Sequence, residues 1–218
     1  MSEETEHERM ARKSRSEAIL HSEGIATNPN LPAIESADEI RVPSPDEIAR
    51  RALCLLIVAG KGSGLSRRVI RELISRHGEA EFFTPKERAF IRSWFPSVQT
   101  KMRFSWRSEA AWVLLWALGF VRDLGLPFNQ IQPDDAVRIV EAHGLNGLVA
   151  NAKPRTAAEL LDEADLIYRC QGAIRHSDMD RVDEDGELEA DITKERHHAL
   201  NWLIGYQRQS WDGVSTDT

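Results

Sequence analysis

The stretch that most constrains this chain is Ala110 to Leu118, Ala-Ala-Trp-Val-Leu-Leu-Trp-Ala-Leu, in which no charge interrupts the apolar run. Trp112 and Trp116 stand four apart and share one helix face, while Val113 and Leu114 continue around the cylinder. A helix apolar all round sits centrally in its domain, because only neighbours on every side keep it from water. The pattern predicts one central helix over residues 104–119, covered by the rest of the chain. Glu109 sits one residue before the run and projects on the Trp112, Val113 and Trp116 side, so its carboxylate enters or borders the core and requires a partner.

The covering segments are helical by their start signals. Ser44-Pro45-Asp46-Glu47 has a serine N-cap, proline at the first helical position and a glutamate three after the cap. Thr84-Pro85-Lys86-Glu87 repeats the pattern, and Thr156 with Glu159 gives a third capping box. These predict helices from Ser44 to about Gly60, from Thr84 with Phe90, Ile91 and Trp94 inward, and from Thr156 with Leu160, Ala164, Ile167, Tyr168 and Ile174 on one stripe. Further amphipathic runs are Ser66 to His77, stopped at Gly78, then Pro133 to His143 with Ala136, Val137 and Val140 inward, and Leu188 to Tyr206. Residues 144–155 read as irregular. No segment shows strand alternation, so the fold class is all-α: one multi-helix domain around the tryptophan helix.

Three regions follow: residues 1–43, a charged helix and an extended proline-containing arm; 44–206, the helical domain; and 207–218, a tail that Trp211 anchors to the body. The arm is extended because Pro29, Pro32, Pro43 and Pro45 forbid regular helix. In the second helix Arg50 and Arg51 precede an apolar half, and Glu109 is expected to be held by one of them, as an arginine from a neighbouring helix, or by Arg107 from its own turn.

Composition excludes several classes. A formal charge of -7 argues against general nucleic-acid binding, which needs a basic footprint. Cys54 and Cys170 both lie in apolar helical patterns and imply no disulfide framework, which suits the cytoplasm. The first residues carry charge and no apolar core of a signal peptide, and the central run is well short of the roughly 20 residues needed to span a bilayer. No membrane partner is expected.

Signals for chemistry are weak. Gly60-Lys61-Gly62-Ser63-Gly64 suggests a phosphate loop, but Leu55 and Gly62 stand where that motif requires glycine and Ser or Thr. The acidic run Asp178 to Glu187 fails the calcium-loop register, since Gly186 as sixth position puts Arg181 first and Ile192 twelfth. His197 and His198 are adjacent and point about 100 degrees apart on a helix, which is poor geometry for a shared metal. Neither a cofactor fingerprint nor a metal set is read. Charge is uneven: from Lys61 to Arg107 eleven Lys or Arg stand against four Asp or Glu, while from Asp134 to Asp191 fifteen acids stand against six bases. Such halves either complement each other or present a charged binding face.

The set Pro45-Asp-Glu-Ile-Ala-Arg-Arg-Ala-Leu, Ser105-Trp-Arg-Ser-Glu-Ala-Ala-Trp-Val-Leu-Leu-Trp-Ala-Leu-Gly, Glu195-Arg-His-His-Ala-Leu-Asn-Trp-Leu and Trp211-Asp, with the closing Thr216-Asp-Thr, resembles the bacterial domain of unknown function 4272 family over most of the chain. The resemblance implies a mostly helical bacterial protein and brings no catalytic residue with it. The expected function is a non-enzymatic module that binds another protein; one specific form is an immunity-type inhibitor of a secreted toxin. The alternative is a hydrolase or metal-dependent enzyme whose site gathers Glu109, Arg107, His197, His198 and Asp212 where the central and last helices meet.

Overall fold

The computed structural model describes residues 3–77, 81–180 and 188–216. The acidic run from Arg181 to Glu187, the stop at Gly78 and the final two residues lie outside the described residues. Along the chain come α1 (Glu3–Ser22), α2 (Pro45–Gly62), α3 (Arg67–His77), α4 (Pro85–Arg92), α5 (Val98–Ser105), α6 (Arg107–Ala117), α7 (Pro133–Ala150), α8 (Ala157–Asp180) and α9 (Ala190–Leu203), followed by short 3₁₀ turns at Tyr206–Arg208 and Trp211–Gly213. The protein is all-α, with no strand among the described residues.

The capping boxes form as their chemistry dictates. Ser44 Oγ accepts the Glu47 N–H and the Glu47 carboxylate accepts the Ser44 N–H at 2.8 Å. Thr84 with Glu87 and Thr156 with Glu159 do the same.

α6 is the centre. From Ala110 to Leu118 every residue but Trp112 is buried. It packs against α2 on one side and α9 on another; α8 then covers α9, and α1 covers α8. A second, smaller apolar cluster joins Ile57 and Val58 of α2 to Ile70, Phe83, Phe90 and Phe104, with the last two rings stacked at 4.1 Å between centroids.

The single helix expected over 104–119 is two. Ser108 Oγ donates to the Ser105 carbonyl at 3.2 Å, the oxygen a continuous helix would give to the Glu109 N–H, and that N–H turns to Trp106 O at 3.0 Å. α5 then crosses α2 at Gly62, where a Cβ would lie 2.5 Å from the Ser105 nitrogen and 2.7 Å from the Lys101 oxygen. α7 runs past its expected end because Gly144 takes φ 58°, ψ 177°, a bend that lets helix resume as far as Ala150. Trp94 is not inward: α4 stops at Arg92, and Trp94 falls beyond it, 72 % exposed. Val137 is likewise 37 % exposed, while Ala136 and Val140 are buried.

The arm is fixed along its length. Leu31 seats on Gly172 of α8, where a Cβ would lie 2.3 Å from Leu31 Cδ1. Arg9 donates to Ile34 O, Arg12 to Glu35 O, Lys13 to Pro29 O and Leu31 O, and Arg169 to Pro32 O.

Candidate functional site

The five residues singled out by sequence lie on α6, on α9 and in the tail, and they take different partners. Glu109 is wholly buried; its Oε2 accepts from Arg196 Nε at 3.0 Å and its Oε1 from the Ile131 N–H at 2.8 Å. The partner is thus Arg196 of α9. Neither arginine of α2 takes that place: Arg51 pairs with Glu87 at 2.6 Å and Arg50 with Asp46 at 2.7 Å. Arg107 meets Glu195 at 3.0 Å. Burial pushes the Glu195 carboxyl up, and Arg107 pulls it back.

His197 and His198 diverge as helix geometry requires. His197 is buried, its Nδ1 3.0 Å from Gln171 Oε1 and its ring edge-on to Tyr168. His198 Nε2 donates to the Trp211 carbonyl at 2.9 Å, and its ring packs edge-on against that indole. Burial drives His198 down to about 3, so it is neutral at pH 7. Asp212 accepts the Lys86 N–H at 3.1 Å, while its carbonyl takes Lys86 Nζ at 2.8 Å. With the Arg107 guanidinium 6.0 Å from the indole of Trp211, Arg107 and His198 converge on Trp211, whereas Glu109 and His197 are committed to other partners. The convergence holds the tail: Trp211 is 5 % exposed, edge-on to Trp202, with the Arg51 guanidinium 5.3 Å from its ring.

One carboxylate here had no sequence signal. Glu163 of α8 is half-buried, and desolvation raises it to about 7 although Arg196 opposes the shift.

The open space lies elsewhere. A groove of about 940 Å³ runs along α2, walled by α3 and α7. Its floor is Leu53, Leu56 and Ile57; Val69 and Leu73 line one wall, Val137 and Val140 the other. Arg76 and His77 stand on the α3 rim, Asp134 and Glu141 on the α7 rim. By spacing Val69, Ile70, Leu73 and Ile74 of α3 read as one core face, yet only Ile70 is buried.

Beside the groove stands an apolar ridge. Trp94, Phe95, Val98 and Met102 are 72, 93, 77 and 55 % exposed. Arg92, Lys101 and Arg103 are exposed around them. The turn carrying Trp94 and Phe95 is braced from below by Lys61, which is buried and donates to Phe90 O, Ile91 O and Ser93 O at 2.6, 2.8 and 2.9 Å. The lysine of the apparent phosphate loop is the C-terminal cap of α4. The Arg67 guanidinium stacks on Trp94 at 3.6 Å. Leu65 and Ser105 line the groove, so the ridge begins where the groove ends.

The family described as Domain of unknown function (DUF4272) matches residues 12–214. The chain belongs to the DUF4272 family. Junction, groove and ridge all lie within the DUF4272 span, and that description assigns no activity to any of their residues. No curated protein and no solved structure matches the chain. Among the described residues of this DUF4272 member, no helix is long and apolar enough to cross a membrane.

Proposed function

We propose that this chain is a protein-binding module whose contact face is the ridge of Trp94, Phe95, Val98 and Met102 together with the adjoining groove. The observation that carries this reading is the exposure of those four large apolar side chains in one place. Aromatic and methionine side chains held rigidly at a surface are the usual anchors of protein interfaces. Arg92, Lys101 and Arg103 around them favour an acidic partner surface. The junction of α6 and α9 offers less to an enzymatic reading: Glu109, Arg107, His198 and Asp212 are each held by a specific internal partner. The test is a photo-crosslinking residue placed at Val98 in the cells that make the protein. One dominant protein adduct is expected, and it should disappear when Trp94 and Phe95 are both changed to Ser. Capture indifferent to that change, or no adduct, removes the reading. Its specific form, an immunity-type inhibitor, rests on small size and the formal charge of -7. That form is checked by rescue of cells from a toxin encoded beside the gene; growth that stays arrested removes it.

A further inference from the structure

We infer that the groove along α2 receives an amphipathic helix of the partner protein, with acidic residues on one edge and basic residues on the other. This rests on the protein-binding reading above and names what the partner presents.

The first argument is architectural. α3 and α7 both pack on α2 and hardly on each other, so a trough opens between them above the buried Leu53 and Ile57, with Leu56, Val69, Leu73 and Val137 only partly covered by this chain. The trough runs from Leu53 to Ser63, a length of about 15 Å at 1.5 Å per residue, or roughly three helical turns. Its lining has helical spacing on all three sides: Leu53, Leu56 and Ile57 below, Val69 and Leu73 on one wall, Val137 and Val140 on the other. A guest helix fills such a slot with side chains at i, i+3, i+4 and i+7. At the end of the α7 wall the chain bends at Gly144, and Gly144, Leu145 and Asn146 continue the lining there.

The second argument is charge. Arg76 stands with His77 on the α3 rim, whereas Asp134 and Glu141 stand about two helical turns apart on the α7 rim. Small-molecule sites gather a few polar groups toward one point of an enclosed cavity. Here the Arg76 cation on one edge faces two carboxylates on the other across an open trough, His77 beside it being held toward its neutral form by burial and Arg76. That arrangement complements a helix whose apolar face looks down and whose two flanks carry opposite charge.

The probes are three fluorescein-labelled peptides of 14 residues with one shared leucine face: glutamate on one flank and lysine on the other, glutamate on both, or lysine on both. A split-flank peptide can lie in either direction and still match both rims, so uniform flanks, and not swapped ones, are the proper controls. Anisotropy titrations with the full chain at 50 mM salt are expected to give about fivefold tighter binding for the split peptide than for either uniform one. The double variant Asp134→Lys/Glu141→Lys makes both rims basic and should make the all-glutamate peptide the tightest. Val137→Glu, at a partly exposed wall position, should weaken all three at least tenfold with the thermal transition retained.

Three peptides within twofold of one another, or an order unchanged by the rim reversal, overturn the inference. Oleate that binds the groove while no peptide is discriminated overturns it in favour of a small apolar ligand. Dimerisation in sedimentation runs that Val137→Glu abolishes overturns it in favour of a second copy. If the crosslink at Val98 still depends on Trp94 and Phe95 when the peptides fail, the protein-binding reading stands and only the helix is lost. If no crosslink forms, the reading itself falls.

Discussion

Glu109 and Arg196 meet at 3.0 Å with the carboxylate wholly out of solvent and the guanidinium 3 % exposed. The guanidinium reaches further, since Arg196 Nη1 donates to the Leu124 and Gly125 carbonyls at 3.0 Å each. The pair therefore ties α6 and α9 to the loop between α6 and α7. Removing one member strands a buried charge at a cost of about 3–5 kcal/mol. Glu109→Ala should lower the free energy of unfolding by that amount in urea titrations. Glu72→Ala, in the exposed Arg68–Glu72 pair at 3.7 Å, should change it by less than about 0.5 kcal/mol. Equal effects would show that the buried pair does not hold the fold.

His198 makes stability depend on acid. Its folded-state value of about 3 lies below the ordinary 6.5, so the unfolded chain binds the proton first. The stabilisation is complete above pH 6.5 and is lost as the pH falls from there toward 3. Between pH 7 and pH 4 the contribution should be about 2 kcal/mol after allowing for its partial exposure. Melting curves of His198→Gln should show a flatter decline across that interval than the parent; parallel declines would exclude His198 as the source.

Glu163 acts in the opposite direction. Its value is raised to about 7 from 4.5, so the folded state favours the protonated acid. Stability from this group is complete below pH 4.5 and is lost as the pH rises through about 7. Glu163→Gln should stabilise the protein by about 1–2 kcal/mol at pH 8 and leave it unchanged at pH 4. Calorimetry at the two pH values checks this, and a gain of the same size at both would refute it.

Lys61 braces the ridge by capping α4. Lys61→Met removes three hydrogen bonds to buried or half-buried carbonyls and should cost about 2–4 kcal/mol. Amide exchange over residues 91–97 should rise more than elsewhere in the chain. Uniform exchange across α4 and the turn after it would mean that the lysine does not fix the aromatic pair.

Much of the fold was legible because it depends on local rules. Ser44, Thr84 and Thr156 start their helices through contacts three residues away, and the charge-free run of α6 left it nowhere to go but the centre. The division at Trp106 was not legible, since it follows from a serine hydroxyl competing for one carbonyl. The choice of Arg196 over Arg51 for Glu109 depends on which helix arrives beside α6, a tertiary fact with no local signature. The groove was hidden for a similar reason: Val69, Leu73 and Val137 read as core residues by spacing, and only the gap between α3 and α7 leaves them open. Trp94 misled because its spacing continues the face of α4 while the helix ends two residues earlier.

The arm is recognised by its carbonyls. Arg9, Arg12, Lys13 and Arg169 reach backbone oxygens between Pro29 and Glu35, and every residue type offers the same oxygen. Leu31, seated on Gly172, and Ile34, packed against the core, are read by their side chains. Evolution is thus free to rewrite most of this segment without rerouting it. Drift there would be silent, and sequence divergence in the arm is a poor guide to whether two relatives share a task.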